Sequence, residues 1–258
     1  MNARRTISVL VFVVIAIFAT SGVRADFTFG EPVNLRTVIP AIDPVHESIS
    51  CLSSDGHEIY LMSDRPGGQG GFDLWVLKRD SIEEDWGPPM NLGPDVNGSK
   101  IDSGGSISSD GLTLYFYSNA PGGYGGADLY MTTRATTSNP WSQAVNLGAT
   151  VNGSATDLVP VISHDGLELY FTSWRSNGYG LGDTYVTKRA TTNDPWGEPE
   201  NLGHVVNSPY EDLAFSVSPD GRLLFFSDNV PELGTPPRPG GCGGSDMWMT
   251  RRASLSDP

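Results

Sequence analysis

Between Trp86 and Pro140 the apolar residues do not recur at a helical spacing. They fall in short runs separated by turn residues. Four extended segments result: Trp86 to Leu92, closed by Gly93; Ser103 to Ser108, leading into Asp110-Gly111; Leu112 to Ser118; and Ala127 to Thr133. In the third, Leu114, Phe116 and Ser118 alternate with Tyr115 and Tyr117, and in the fourth Leu129 and Met131 flank Tyr130. Asp-Gly between two such runs predicts a hairpin, because glycine accepts positive φ without a Cβ clash. The last two segments are apolar on both faces, which predicts strands covered on both sides.

The pattern repeats every 55 residues. Asp55-Gly56, Asp110-Gly111, Asp165-Gly166 and Asp220-Gly221 keep this spacing, as do Trp86, Trp141 and Trp196 and the Asn-Leu-Gly triplets at 91, 146 and 201. Asp73, Asp128 and Asp183 follow it too, with Asp246 as a fourth copy displaced by a Pro- and Gly-rich insertion; six residues after each stands Arg79, Arg134, Arg189 or Arg252. A period of this size marks a modular fold. One four-stranded sheet cannot cover its own faces, and radial packing of sheets solves that. The expectation is therefore an all-β chain, a β-propeller of four-stranded antiparallel blades. Four blades follow by count, and the N-terminal strand Phe29 to Leu35, a degenerate copy of the Trp-Asn-Leu strand, closes the last blade. A segment of a larger ring is the competing reading. The domain spans 26–258, with repeats at about 29–85, 86–140, 141–195 and 196–258.

Residues 1–25 read as a signal peptide: Arg4 and Arg5, an apolar run from Ile7 to Ala19, and a Val23-Arg24-Ala25 cleavage site. An uncleaved anchor is the alternative, against which the run is short for a span. Cleavage implies a periplasmic or secreted protein with no membrane insertion afterwards, here expected as a monomer. The segment carries three arginines and no acid, so the remaining chain has 13 basic against 30 acidic residues, a charge of −17. Such a surface repels phosphate backbones and excludes nucleic acid as a partner, while favouring cations and basic proteins. Cys51 and Cys242 are the two cysteines; export permits a bond, but one reads as mid-strand and the other as loop. Asn97-Gly98-Ser99 and Asn152-Gly153-Ser154 are glycosylation sequons if the source has that machinery.

The phrase from Ser108 to Phe116, Ser-Ser-Asp-Gly-Leu-Thr-Leu-Tyr-Phe, followed by Gly122-Gly123-Tyr124-Gly125-Gly126-Ala127-Asp128-Leu129-Tyr130, resembles the WD40-like (PD40) repeat of TolB-type propellers. It is most similar to the version in periplasmic proteins that often also carry an OmpA-type peptidoglycan-binding domain. No OmpA-type domain is recognisable in this sequence, and the repeat is longer and in fewer copies than in TolB.

Tracing the strands puts the Asp-Gly turns on one face, the bottom, and the Gly-rich loops on the other, the top. The innermost strands begin at the top, eight residues before each Asp-Gly, with Glu47, Asp102, Asp157 and Asp212. If these face the axis they form a ring of carboxylates for a basic ligand or Ca²⁺, since oxygen-only ligands favour calcium over zinc. The alternative is that each acid caps a local turn. Tyr124 and Tyr179, in the middle of Gly-rich loops, with Trp174 and Tyr210, offer rings for stacking on a sugar or peptide. Trp86, Trp141 and Trp196 are expected as wedges between blades, and the four arginines as partners of the Asp-Gly aspartates. His46, His57, His164 and His204 do not repeat, and no Gly-x-Ser-x-Gly elbow occurs. The reading is an exported non-catalytic module binding a protein or glycan of the cell envelope, requiring no cofactor other than the calcium just considered. The alternative is a carbohydrate-active hydrolase or lyase using acids at the channel mouth.

Overall fold

The computed structural model describes residues 46–229, 238–242 and 244–254. The expected signal segment 1–25 and the expected closing strand, 29–35, lie outside these residues. The described residues form strands and no helix. Blade 1 is β1 (Glu47–Leu52), β2 (Glu58–Ser63), β3 (Asp73–Lys78) and β4 (Met90–Asn91). Blade 2 is β5 (Asp102–Ile107), β6 (Thr113–Ser118), β7 (Asp128–Thr133) and β8 (Val145–Asn146). Blade 3 is β9 (Asp157–Ile162), β10 (Glu168–Ser173), β11 (Asp183–Lys188) and β12 (Glu200–Asn201), and blade 4 is β13 (Glu211–Val217), β14 (Leu223–Asn229) and β15 (Ser245–Arg251). Each sheet is antiparallel, with strands in chain order from the innermost outward. This is a four-bladed propeller, as the 55-residue period predicts. The outer strands are shorter than expected, pairing over only two residues. In blades 1 and 3 Pro88, Pro89 and Pro199 precede the paired residues and cannot donate to the ladder.

The Asp-Gly turns have one construction. Asp55 Oδ1 accepts the Ser53 hydroxyl and the His57 N–H, the Ser53 hydroxyl oxygen accepts the Glu58 N–H, and Gly56 takes φ +76°. The other three turns repeat this, with Gly φ of +71°, +73° and +67°. The glycine is required there, because no L-residue with a Cβ adopts this φ without strain.

Blades pack face to face through aromatic rows. Tyr60, Leu74 and Val76 of blade 1 meet Leu114, Phe116 and Trp141 of blade 2. Tyr115 and Leu129 of blade 2 meet Leu169, Phe171 and Tyr185 of blade 3, and Tyr170 and Val186 meet Leu224 and Phe226 of blade 4. Trp141 and Trp196 wedge edge-on against Tyr60 and Tyr115 of the preceding blade, at 6.2 and 6.0 Å between ring centroids. Among the described strands, β13 to β15 do not approach β1 to β3, so the seam between blades 4 and 1 is not closed by these strands.

The bottom arginines correct an expectation. They do not pair with the Asp-Gly aspartates, whose Oδ1 atoms accept within their own turns. Each Nε donates instead to the glycine carbonyl: Arg79 to Gly56, Arg134 to Gly111, Arg189 to Gly166 and Arg252 to Gly221, all at 2.8 Å. The rest of the guanidinium reaches the preceding blade. Arg134 grips buried Glu58 at 2.9 and 2.5 Å, and the Tyr60 hydroxyl donates to the same carboxylate at 2.7 Å. Arg252 grips Glu168 at 2.9 and 2.6 Å, with Tyr170 donating at 2.8 Å. At the middle seam Thr113 replaces the glutamate and Arg189 meets only the Tyr115 hydroxyl, at 3.4 Å. On blade 4 the matching positions are Leu223 and Phe225, so the clasp has no counterpart for Arg79 there.

The sequon asparagines Asn97 and Asn152 are buried and structural. Asn97 accepts the Leu74 N–H at 2.8 Å and donates to the Leu74 carbonyl at 3.0 Å, and Asn152 does the same with Leu129. Their amides are committed to the backbone and unavailable as glycosyl acceptors. Asn207, at the same 55-residue spacing, repeats the arrangement with Thr184.

Candidate functional site

The four acids at the start of the innermost strands do not form a shared ring of free carboxylates. Asp102 is 1 % exposed, and Asp157 and Asp212 are 0 % exposed. Each is bound into its own turn: Asp102 accepts the Gly98 N–H at 2.6 Å, Asp157 the Gly153 N–H at 2.7 Å, and Asp212 the Ser208 N–H at 2.6 Å. Glu47 pairs with Arg65, Asp157 with Arg175 and Asp212 with Arg238. Burial is the largest influence on Asp102, Asp157 and Asp212 and pushes their pKa values up against the opposing pull of these hydrogen bonds. Among the described residues no three His, Cys, Asp or Glu side chains come close enough to hold one metal ion. The acids therefore serve the connections between blades, the alternative weighed from sequence.

The Gly-rich loops are closed by carboxylates, as their composition implies. Asp128 accepts the Tyr124 and Gly125 N–H groups at 2.6 and 2.9 Å, and Asn146 donates to it at 2.9 Å. Asp183 does the same with Tyr179, Gly180 and Asn201, and Asp73 with Gln69, Gly70 and Asn91.

The loop aromatics are exposed: Tyr124 at 53 %, Tyr179 at 54 % and Trp174 at 49 %. They stand on separate supports. Trp174 donates its indole N–H to Glu211 Oε1 at 2.9 Å and lies over Gly182, where an added Cβ would come within 2.8 Å of the ring. Tyr179 faces the His204 ring at 6.2 Å. Trp174 is thus fixed with an open flank, a platform for stacking.

Residues of all four blades line a cavity of about 470 Å³ among the innermost strands. Its size falls within the ordinary range for ligand pockets. Ser48, Ser50, Ser106 and Ser216 bring hydroxyls to the lining, buried Ser103 donates to Met62 Sδ, and Ile49, Met62, Tyr117, Val159, Pro160 and Phe215 supply apolar surface. Among the described residues no Asp, Glu, His, Lys or Arg lines it. Phe215 is 47 % exposed.

The wall has a common origin. Every innermost strand bulges at the same module position, between Ile49 and Cys51, Ser103 and Ser106, Leu158 and Val161, and Ala214 and Ser216. A bulge lifts backbone groups out of the ladder and re-aims side chains. Gly104 takes φ +67° here, and Val159, a β-branched residue, is held at φ +49°. That is an outlier of the kind that persists only where the surroundings enforce it. Cys51 belongs to the same wall, and desolvation pushes its thiol pKa up to about 12, which favours the neutral form. Cys51 and Cys242 are both free thiols.

No protein-family model and no curated protein matches the chain. Solved structures do. TolB from Acinetobacter baumannii superposes with a TM-score of 0.52 at 16 % identity, over 81 % of this chain and 41 % of that one. A TolB-like structure from Agrobacterium tumefaciens gives 0.51 at 16 % identity, over 78 % and 59 %. The fold is that of a TolB-like β-propeller. The chain spans about half the length of these two structures. An endo-arabinase from Bacteroides thetaiotaomicron gives a TM-score of 0.50 at 16 % identity, over 80 % of this chain and 74 % of that one, so the same architecture also carries enzymes.

Several parts of this TolB-like propeller were hidden in its sequence. The cavity wall is one, because Ile49-Ser50, Gly104-Gly105, Val159-Pro160 and Ala214-Phe215 share a position but no chemistry. The arginines that meet the top acids are another. Arg65 and Arg175 lie 110 residues apart, two periods, as do Glu58 and Glu168. A search at twice the module length would have found both pairs.

Proposed function

We propose that the protein is an exported, non-catalytic glycan-binding propeller whose ligand enters the axial cavity. The observation that carries this reading is the cavity lining: hydroxyls interleaved with apolar and aromatic surface, and no charged side chain among the described residues. A neutral saccharide offers the matching combination, with hydroxyls for the serines and for the bulged backbone, and C–H faces for Phe215 and Tyr117. Hydrolysis would require two carboxylates flanking the scissile bond, about 5 to 9.5 Å apart. Of the acids considered for that task, Asp102, Asp157 and Asp212 are buried in turns and Glu47 pairs with Arg65, all outside the lining. Export, to the periplasm or beyond the cell, rests on the leader of residues 1–25.

The test is calorimetric titration of the mature protein with neutral arabino-, cello- and chito-oligosaccharides, alongside the cavity-filling variant Ser216→Trp. Binding of a neutral oligosaccharide that Ser216→Trp abolishes, with the ligand recovered intact, supports the proposal. Binding that Ser216→Trp leaves unchanged, or cleavage of the ligand, overturns it.

A further inference from the structure

In three blades an arginine fills the same place at the top of the sheet. Arg175 donates to Asp157 Oδ1 at 3.3 Å and to the Val151 carbonyl, with its guanidinium carbon 5.5 Å from the Phe171 ring and 5.3 Å from the Tyr185 ring. Arg238 donates to Asp212 Oδ1 at 2.7 Å and to the Val206 carbonyl at 2.5 Å, lying 5.1 and 5.3 Å from Phe226 and Trp248. Arg65 meets Glu47 and lies 5.2 Å from Trp75. A buried acid, a backbone carbonyl and an aromatic floor thus surround the guanidinium of Arg175 and of Arg238, while Arg65 has a half-buried acid and one ring.

Blade 2 keeps the surroundings and lacks the arginine. Residue 120, at the position of Arg65 and Arg175, is alanine. Asp102 is as buried as its counterparts, and among the described residues no basic side chain pairs with it. Phe116 and Tyr130 stack at 5.9 Å and 25°, nearly the geometry of Phe171 and Tyr185 at 6.1 Å and 23°. Val96 stands 55 residues before Val151, in the same turn. One ring of the floor is more open: Tyr185 beneath its arginine is 5 % exposed, whereas Tyr130 is only half-buried; Phe116, like Phe171, is fully buried.

We propose that blade 2 carries a socket for the guanidinium of an arginine from a partner polypeptide, with Asp102 and the Val96 carbonyl as acceptors and Phe116 and Tyr130 as floor. A guanidinium fits better than an ammonium, because the place is held in the sister blades by a planar cation that both donates to two acceptors and lies over rings. A divalent metal would find a single carboxylate. A polypeptide is the source because the chain's charge of −14 attracts basic partners, and an arginine side chain carries the group on a stem long enough to enter from the surface. The socket lies outside the axial cavity lining and is independent of the glycan reading.

The test titrates the mature protein with a capped Gly-Arg-Gly tripeptide and a capped Gly-Lys-Gly tripeptide. The arginine peptide should bind about tenfold tighter than the lysine peptide. Asp102→Asn should lose about tenfold in affinity or more, and the wild-type interaction should weaken as the pH falls and Asp102 takes up a proton. Ala120→Arg supplies the missing side chain from within, and should abolish peptide binding while raising the melting temperature. Ala120→Met, which fills the space without charge, keeps the test decisive if Asp102→Asn does not fold, and it too should abolish binding. Failure of the wild type to bind the arginine peptide at tens of millimolar overturns the proposal. So does undiminished binding by folded Ala120→Arg or Ala120→Met.

Discussion

Removing Arg134 and removing Arg189 should have very different consequences, although the two occupy the same module position. Arg134 makes two bonds to Glu58, one to the Gly111 carbonyl and one to the Thr137 carbonyl, and stacks 4.3 Å from Trp141. Glu58 is 5 % exposed, so Arg134→Ala strands a buried carboxylate. Breaking a buried pair from one side costs about 3–5 kcal/mol. Lys78 stays 2.6 Å from Glu58 and the Tyr60 hydroxyl also remains, which places the expected loss near the lower bound, about 3 kcal/mol. Arg189→Ala abandons no charge. It forfeits one bond to Gly166, a long contact to Tyr115 and the stack on Trp196 at 4.2 Å, about 1–2 kcal/mol together. Urea unfolding of the two variants, with unchanged m-values, should therefore separate them by about 1–2 kcal/mol.

The gap should also depend on pH with a definite sign. Desolvation opposes ionisation of Glu58, but hydrogen bonds from Arg134, Lys78 and Tyr60 outweigh it and hold the carboxyl below its ordinary value. A lowered folded pKa means that the clasp's contribution is complete above the unfolded value, about 4.3, and is lost as the pH falls through the folded one. Equal losses for the two variants at pH 7, or a gap that widens in acid, would refute the clasp.

Asp102→Asn should remove a proton uptake on folding: burial raises the folded pKa, so wild-type stability falls as the pH rises from the unfolded value, about 3.9, through the folded one. Stability against pH for the two proteins should differ by that slope, and parallel curves would refute it. Asn97→Ala should cost about 3 kcal/mol, because it leaves the buried Leu74 N–H and C=O unpaired, and a loss within 0.5 kcal/mol in urea titration would contradict the role given to this residue. Iodoacetamide at pH 8 should modify exposed Cys242 and spare Cys51, whose thiol is held neutral by desolvation; rapid modification of Cys51 in the native protein would show otherwise. Chelation with EDTA should leave the melting temperature unchanged. A drop of several degrees would restore calcium to the account.

The architecture was legible because its determinants are local. The Asp-Gly turns, the alternating strands and the Asp-closed glycine loops each depend on a few adjacent residues, and the period multiplied the signal fourfold. What joins the blades was less legible. Arg134 sits next to its Asp-Gly turn in space, which suggests Asp110 as its partner, yet Asp110 Oδ1 accepts the Ser108 hydroxyl and the Leu112 N–H, and among the described residues no arginine bonds to the carboxylate. The guanidinium turns instead to Glu58, 76 residues away on another blade. The top acids are ambiguous in the sequence for a related reason. A recurring carboxylate looks like a ring when only its position is known, and becomes a turn cap once Gly98, Gly153 and Ser208 are seen donating to it. The cavity itself left no mark, since a bulge is set by register between strands and not by residue type.

Hydrogen exchange of the mature protein, with and without the neutral oligosaccharide found by titration, measures the central claim most directly. Protection should appear together in the innermost strands Glu47–Leu52, Asp102–Ile107, Asp157–Ile162 and Glu211–Val217, which converge on the cavity. Protection restricted to the outer strands or to the exposed loops around Tyr124, Trp174 and Tyr179, with the innermost strands unchanged, would contradict it.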